Sequence, residues 1–177
     1  MADREIERRF FADPKVVAGR KGEQLWQAYI PVRRTGVVVR VRWNRRTAWL
    51  TVKRSASAGV RHEFEVEIPR SMARELLRSL GCAGRVVKRR YMLRYGGRRW
   101  EVDVFEGNNR GLVIAEVELP SLDTPVRLPP WVGEEITSRV EFSNAALARR
   151  PFRRWPRAQQ ERVHRAILSI RARPYCR

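Results

Sequence analysis

Apolar and polar positions alternate with a period of two along eight short stretches of this chain: residues 5–10, 24–30, 37–43, 48–54, 62–68, 86–95, 99–105 and 112–119. That period predicts β-strands whose two faces meet different surroundings. Turn chemistry separates them at Asp13-Pro14, Gly22, Thr35-Gly36, residues 55–59, Gly96-Gly97 and the Gly-Asn-Asn-Arg-Gly run that ends at Gly111. This last run lacks the Gly-Lys-Ser/Thr ending of a phosphate loop and reads as a hairpin turn. Between the fifth and sixth stretches, Met72, Ala73, Leu76, Leu77 and Leu80 recur at helical spacing, so residues 70–80 predict a helix that Gly81 can end. After Pro129-Pro130, residues 131–140 read as a short helix, and residues 143–149 as another. Residues 156–171 read as a longer amphipathic helix, opened by Pro156, with Val163, Ala166, Ile167 and Ile170 in one stripe.

Residues i and i+2 of a strand share a face, so the charged positions sort themselves. Glu5, Glu7 and Arg9 fall together; so do Arg40 with Arg42, Thr51 with Lys53, Glu63 with Glu65 and Glu67, Lys88 with Arg90, Glu101 with Asp103, and Glu116 with Glu118. The opposite faces are apolar, as with Val37, Val39 and Val41, or Trp100, Val102 and Val104. An ordinary solvated sheet face would mix signs and uncharged polar residues along each strand. Carboxylates paired on some strands and cations on others fit a barrel with its charged face inward and its apolar outside covered by helices or by a second subunit, making a homodimer. Paired arginines match phosphate oxygens, and paired carboxylates suit a hard divalent cation.

Composition sharpens this picture. The 177 residues carry 38 Lys+Arg against 19 Asp+Glu, a net charge of +19, which calls for an anionic partner. Only Lys15, Lys21, Lys53 and Lys88 are lysine, so the two lysines at charged-face positions stand out against an arginine background. Residues 145–177 hold ten arginines and one acid, Glu161, and form a basic tail suited to packing on the barrel or to contacting nucleic acid or polyphosphate. We expect a boundary near residues 149–156, giving a barrel domain at 1–148 and a basic helical extension at 149–177. No apolar run is long enough for a membrane span, and the N-terminus is charged from its third residue, which points to a cytoplasmic protein. Two cysteines and two histidines are too few for a disulfide scaffold or a His/Cys metal site.

The segment Glu5-Ile6-Glu7-Arg8-Arg9 resembles the ExExK signature of the CYTH domain, the triphosphate tunnel metalloenzymes. Val39-Arg40-Val41-Arg42, Leu50-Thr51-Val52-Lys53, Glu63-Phe64-Glu65-Val66, Val87-Lys88-Arg89-Arg90-Tyr91, Trp100 to Phe105 and Glu116-Val117-Glu118-Leu119 resemble further motifs of that family in the same order. The resemblance covers about residues 4–148 and implies an α+β protein, an eight-stranded antiparallel barrel with flanking helices. It also implies hydrolysis of a triphosphate with Mg²⁺ or Mn²⁺, the short bacterial members acting on inorganic triphosphate.

By motif, the resemblance makes Glu5, Glu7, Glu116 and Glu118 metal ligands. Asp103, Glu63 and Glu65 would hold a second metal or orient the attacking water. Arg9, Arg40, Arg42, Lys53, Lys88 and Arg90 would grip phosphates, Lys53 beside the reacting groups, and Tyr29 would line the tunnel near the chemistry. One departure is Arg9, where the signature has lysine; a planar, permanently charged head replaces a compact ammonium. Class IV adenylate cyclase, thiamine triphosphatase and a non-catalytic polyphosphate- or RNA-binding module remain the alternatives.

Overall fold

The computed structural model describes residues 3–33, 35–57, 60–121 and 123–171, and side chains for these except 3–5, 55–57, 60–61 and 171. All eight alternating stretches are strands. The first is divided at Ile6 into β1 (Asp3–Glu5) and β2 (Glu7–Ala12). The others are β3 (Glu23–Ile30), β4 (Val37–Trp43), β5 (Ala48–Ser57), β6 (Val60–Ile68), β7 (Gly84–Tyr95), β8 (Arg98–Glu106) and β9 (Val113–Glu118). The helix between the fifth and sixth stretches is α1 (Arg70–Leu80), and the C-terminal part carries α2 (Asn144–Arg149) and α3 (Arg157–Arg171).

One antiparallel sheet contains every described strand, in the order β1-β6-β5-β4-β3-β7-β8-β9-β2, followed by a further strand at residues 132–135. The sequence begins on β1 and comes round to β2, although Ile6 alone separates those two in the chain. The N-terminal segment therefore lies along β6 with one half and along β9 with the other. The sheet curls into a barrel-like tunnel held together by that segment, without a closed ring of pairings.

The helix expected over residues 131–140 is not formed. Instead β10 (Val132–Glu135) pairs with the free edge of β2, Val132 opposite Ala12 and Glu135 opposite Phe10, and Ile136 N donates to Arg9 O at 2.8 Å. An uncovered edge strand leaves a row of unpaired N–H and C=O groups, and pairing them outweighs the weak helical spacing of Trp131, Val132 and Ile136. Gly133 lets α3 approach closely there, since a Cβ would lie 2.5 Å from Ile170 Cδ1 and would have to displace that side chain.

Apolar residues bury themselves in three places. Trp100, Val102, Ala115 and Val117 on the outer faces of β8 and β9 are covered by Trp131 and Val132. On the other side of the molecule α1 lays Ala73, Leu76 and Leu77 over Val41, Ala48 and Ile68. This cover is partial, and Phe64 and Val66 of β6 stay 56% exposed. The third cluster sits at one end of the barrel, where Phe11, Val86, Phe105 and Ile114 meet Leu147, Phe152, Trp155, Val163, Ile167 and Ile170 of the C-terminal segments. Each fully buried aliphatic or aromatic side chain of this kind contributes about 1.5–3 kcal/mol. Gly84 lets α2 come close, since a Cβ would lie 2.1 Å from Ala148 O. No helix among the described residues is long and apolar enough to cross a membrane.

Candidate active site

Register brings the charged positions onto the inner wall. Glu7 lies opposite Glu118 and Arg9 opposite Glu116 between β2 and β9; Glu116 lies opposite Glu101, and Asp103 opposite Arg90, along β9, β8 and β7. On the far wall Arg40 lies opposite Tyr29 and Thr51, Lys53 opposite Glu63, and Thr51 opposite Glu65. Burial confirms that this face points inward: Arg9, Gln27, Thr51, Lys88 and Asp103 are all buried, while Phe64 and Val66 on the other face are exposed. The inner wall also changes character along its length. It runs Glu7-Arg9-Phe11 on β2, Glu118-Glu116-Ile114 on β9, Glu101-Asp103-Phe105 on β8 and Arg90-Lys88-Val86 on β7. The apolar ends join the cluster sealed by α2 and α3, so that end is closed, and the charged end, with Glu118 exposed, is the mouth.

Two ion networks line the cavity. On one wall Arg90 donates from Nε to Asp103 Oδ1 at 2.8 Å and from Nη2 to Asp103 Oδ2 at 2.7 Å and Glu116 Oε2 at 3.2 Å. It also pairs with Glu101, and Lys88 pairs with Asp103 beneath it. On the other wall Arg42 holds Glu65 at 2.6 Å, Lys53 holds Glu63 at 2.9 Å, and Arg40 reaches Glu63 at 3.5 Å and Glu65 at 3.4 Å. The Thr51 hydroxyl donates to Glu65 at 2.6 Å. At the closed end Asn144 Oδ1 of α2 accepts from Gln27 Nε2 at 3.0 Å and Lys88 Nζ at 3.3 Å.

These surroundings set the protonation states. Burial works against the Asp103 carboxylate, but Arg90 and Lys88 overcome it and hold Asp103 down to about 2. Burial lowers Lys88, helped by Arg90 and opposed by Asp103 and Glu116. Burial would lower Arg90 too, yet its carboxylate partners drive it well upward. Burial raises Glu101 despite Arg90, with Glu116 and Asp103 adding repulsion. Glu65 is lowered: burial opposes, and the Thr51 hydroxyl with Arg42 and Arg40 prevail. Burial pushes the Tyr29 phenol up to about 12, against the pull of Arg40, so it stays protonated at any working pH.

The Nε groups of Arg9, Arg40 and Arg42 are buried and have no hydrogen-bond acceptor among the described residues. A buried donor left so costs about 1–3 kcal/mol, which an incoming oxyanion would recover. Arg9 shows what its longer head does: Nη2 reaches across to Thr137 O at 3.0 Å, while Nε stays 3.7 Å from Glu7 Oε1.

Of the carboxylates expected to hold a metal, Glu7, Glu116 and Glu118 share the β2–β9 wall near the mouth, and β1 carries Glu5, whose side chain lies outside the described residues. Asp103 sits deeper, fully buried, with both oxygens engaged by Arg90 and Lys88. Among the described residues, no three acidic, His or Cys side chains are gathered into a ready-made cation cage. The donor set nevertheless fits a hard divalent cation: all oxygens, with Glu7 and Glu118 facing each other and needing positive charge between them. Gln27, Thr51, Thr137, Asn144 and Glu101 join the site beyond the expected residues. Thr51 and Glu101 were signalled by their i, i+2 spacing to Lys53 and Asp103; Gln27, Thr137 and Asn144 occupy positions that only tertiary contact defines.

A curled antiparallel sheet, charged within, mouthed at one end and sealed at the other, defines a class of tunnel proteins for compact polyanions. The CYTH domain model matches residues 3–152, and this chain belongs to that family. A protein of Acetivibrio thermocellus named inorganic triphosphatase is 40% identical over 115 residues, 65% of this chain and 74% of that protein. A second inorganic triphosphatase, from Nitrosomonas europaea, is 31% identical over 147 residues, 81% of this chain and 96% of that protein. The crystal structure of an inorganic triphosphatase superimposes with a TM-score of 0.59 at 30% identity, covering 84% of this chain and 96% of that one.

Proposed function

We propose that this protein hydrolyses inorganic triphosphate to pyrophosphate and phosphate, with Mg²⁺ or Mn²⁺, inside the tunnel. The observation that carries the proposal is the set of cations gathered on the inner wall. Arg40, Arg42, Lys53, Lys88 and Arg90 line it among carboxylates, and the buried Nε groups of Arg9, Arg40 and Arg42 have no acceptor among the described residues. A short chain of phosphoryl groups supplies acceptors for such a wall. The names of the two curated relatives support the same substrate.

In this reading the triphosphate enters at the mouth and lies against Arg9, Arg40, Arg42 and Lys53, with its inner end toward Lys88 and Arg90. Glu5, Glu7, Glu116 and Glu118 hold the divalent ion, which when bound neutralises charge on the phosphate oxygens. Glu65, kept ionised by Thr51 and Arg42, and Glu63 beside it accept hydrogen bonds from the attacking water and align it. Tyr29 donates from a phenol that stays protonated, and the cations stabilise charge on the leaving pyrophosphate. Asp103 acts as a positioning residue that fixes Lys88 and Arg90. Residues 1–148 form the tunnel domain, and 149–177 an extension whose helix caps the closed end.

Phosphate release with inorganic triphosphate, ATP and thiamine triphosphate, each with Mg²⁺ or Mn²⁺, tests this. We expect inorganic triphosphate to be turned over at least about tenfold faster than either organic substrate, since the described inner wall near the mouth is charged rather than apolar. Faster turnover of ATP or thiamine triphosphate would replace the substrate assignment.

A further inference from the structure

Outside the tunnel, α1 and the sheet's outer face enclose a second concave site of about 410 Å³. Trp43, Ala48, Ala73 and Leu77 form its apolar floor, and Arg70, Arg74, Arg78 and Arg85 form its rim; no carboxylate lines it. Trp43 and Ala48 are cross-strand partners on the outward face, so the sheet separates this groove from the phosphate cavity. Arg70, Arg74 and Arg78 recur every four residues, which sets them along one side of α1 at intervals of about 6 Å. Arg70 is fixed by Nη1 donating to the carbonyls of Asn44 at 2.9 Å and Arg45 at 2.5 Å, and Arg78 is paired with Glu75. Arg74 and Arg85 are exposed, and their guanidinium groups have no hydrogen bond or ion pair among the described residues.

We infer that this groove binds single-stranded nucleic acid without base preference. A row of guanidinium groups beside an apolar floor that includes an aromatic ring suits a phosphate backbone whose base lies on that floor. Arginine forks match phosphate oxygens, and the part of the half-buried Trp43 ring that lines the groove offers a stacking surface to any base. An acidic peptide would use the charges but leave the apolar floor without a flat partner. The net charge of +19 adds a long-range pull on the same class of ligand.

Fluorescence polarisation of a short labelled oligothymidylate, using the full chain over a range of salt concentrations, tests the inference. Arg74→Glu with Arg85→Glu should weaken binding at least about tenfold and lower the slope of log affinity against log salt by about 1.4, for two lost phosphate contacts. Hydrolysis of triphosphate should stay within about twofold, because neither residue touches the tunnel. Trp43→Leu should weaken binding by about fivefold or more through lost stacking, and its circular dichroism and melting curve should show that it folds. The tail pair Arg153→Glu with Arg154→Glu should keep affinity within about twofold. Parental binding by the Arg74/Arg85 variant overturns the site. Equal competition by polyglutamate or inorganic polyphosphate, charge for charge, overturns nucleic acid as its ligand.

Discussion

Glu7 and Glu118 are direct cross-strand partners at the mouth of the tunnel, two carboxylates facing each other where β2 meets β9. Like charges opposed across a ladder destabilise by a few tenths to about 1 kcal/mol. Arg9 offsets part of that repulsion, its Nε lying 3.7 Å from Glu7 Oε1, and a bound cation would offset more. We predict that Glu7→Gln and Glu118→Gln each raise thermal stability slightly without metal, abolish the extra stabilisation that Mg²⁺ or Mn²⁺ confers on the parent, and lower hydrolysis by at least about 100-fold. Melting curves with and without metal, alongside phosphate release, check this; retained activity in both variants would remove these residues from the metal site.

The inward placement of the charges was legible because a strand has only two faces. Once Arg40 and Arg42 alternate with Val39 and Val41, the register follows, and it places the same residues on the tunnel wall. What the sequence concealed depends on contacts between distant segments. Residues 131–140 carry a weak helical spacing, and only the exposed edge of β2, some 120 residues away in the chain, turns part of them into a strand. Asn144 reads as an ordinary helix residue until α2 docks on Gly84 and brings its side chain to Gln27 and Lys88. The closed end could not be inferred from any one strand, because it needs the apolar ends of several and the underside of two helices.

Asp103 is wholly buried between Arg90 and Lys88. Removing one partner of a buried ion cluster strands the other charges, at a cost of about 3–5 kcal/mol. Asp103→Asn should lower stability by that order and reduce turnover, whereas Asp103→Glu should recover part of both. The pH dependence has a definite sign. Because the folded carboxyl lies at about 2, below the unfolded value near 4, its stabilisation is complete above about pH 4 and is lost as pH falls from there through 2. Denaturant titrations across that range should show a smaller acid loss in Asp103→Asn than in the parent, the lowered Glu65 still contributing.

Tyr29 behaves in the opposite direction. Its phenol is raised to about 12 by burial, above the unfolded value near 10. The folded state therefore keeps its proton longer, and the stability tied to that proton is full below pH 10 and lost as pH rises toward 12. Tyr29→Phe should flatten this alkaline loss in melting experiments. It should also slow hydrolysis about tenfold or more by removing a donor while leaving KM within about threefold; an unchanged rate would take Tyr29 out of the reaction.

Asn109 ties the C-terminal cap to the barrel. It is buried in the turn after β8, its Oδ1 accepts from Phe152 N at 2.8 Å, and its Nδ2 donates to Leu147 O at 3.4 Å. Those two bonds hold the ends of the segment that carries Leu147, Phe152 and Trp155 into the closed end of the tunnel. Asn109→Ala leaves the Phe152 N–H buried without an acceptor, which costs about 1–3 kcal/mol and should lower Tm by about 2–10 °C. Asn109→Asp keeps the acceptor, loses the donor and should fall between. The cap would then open more readily than the barrel, so limited proteolysis should cut Asn109→Ala first around residues 149–156. A variant that melts and is cleaved like the parent would mean the apolar packing of α3 alone holds the cap in place.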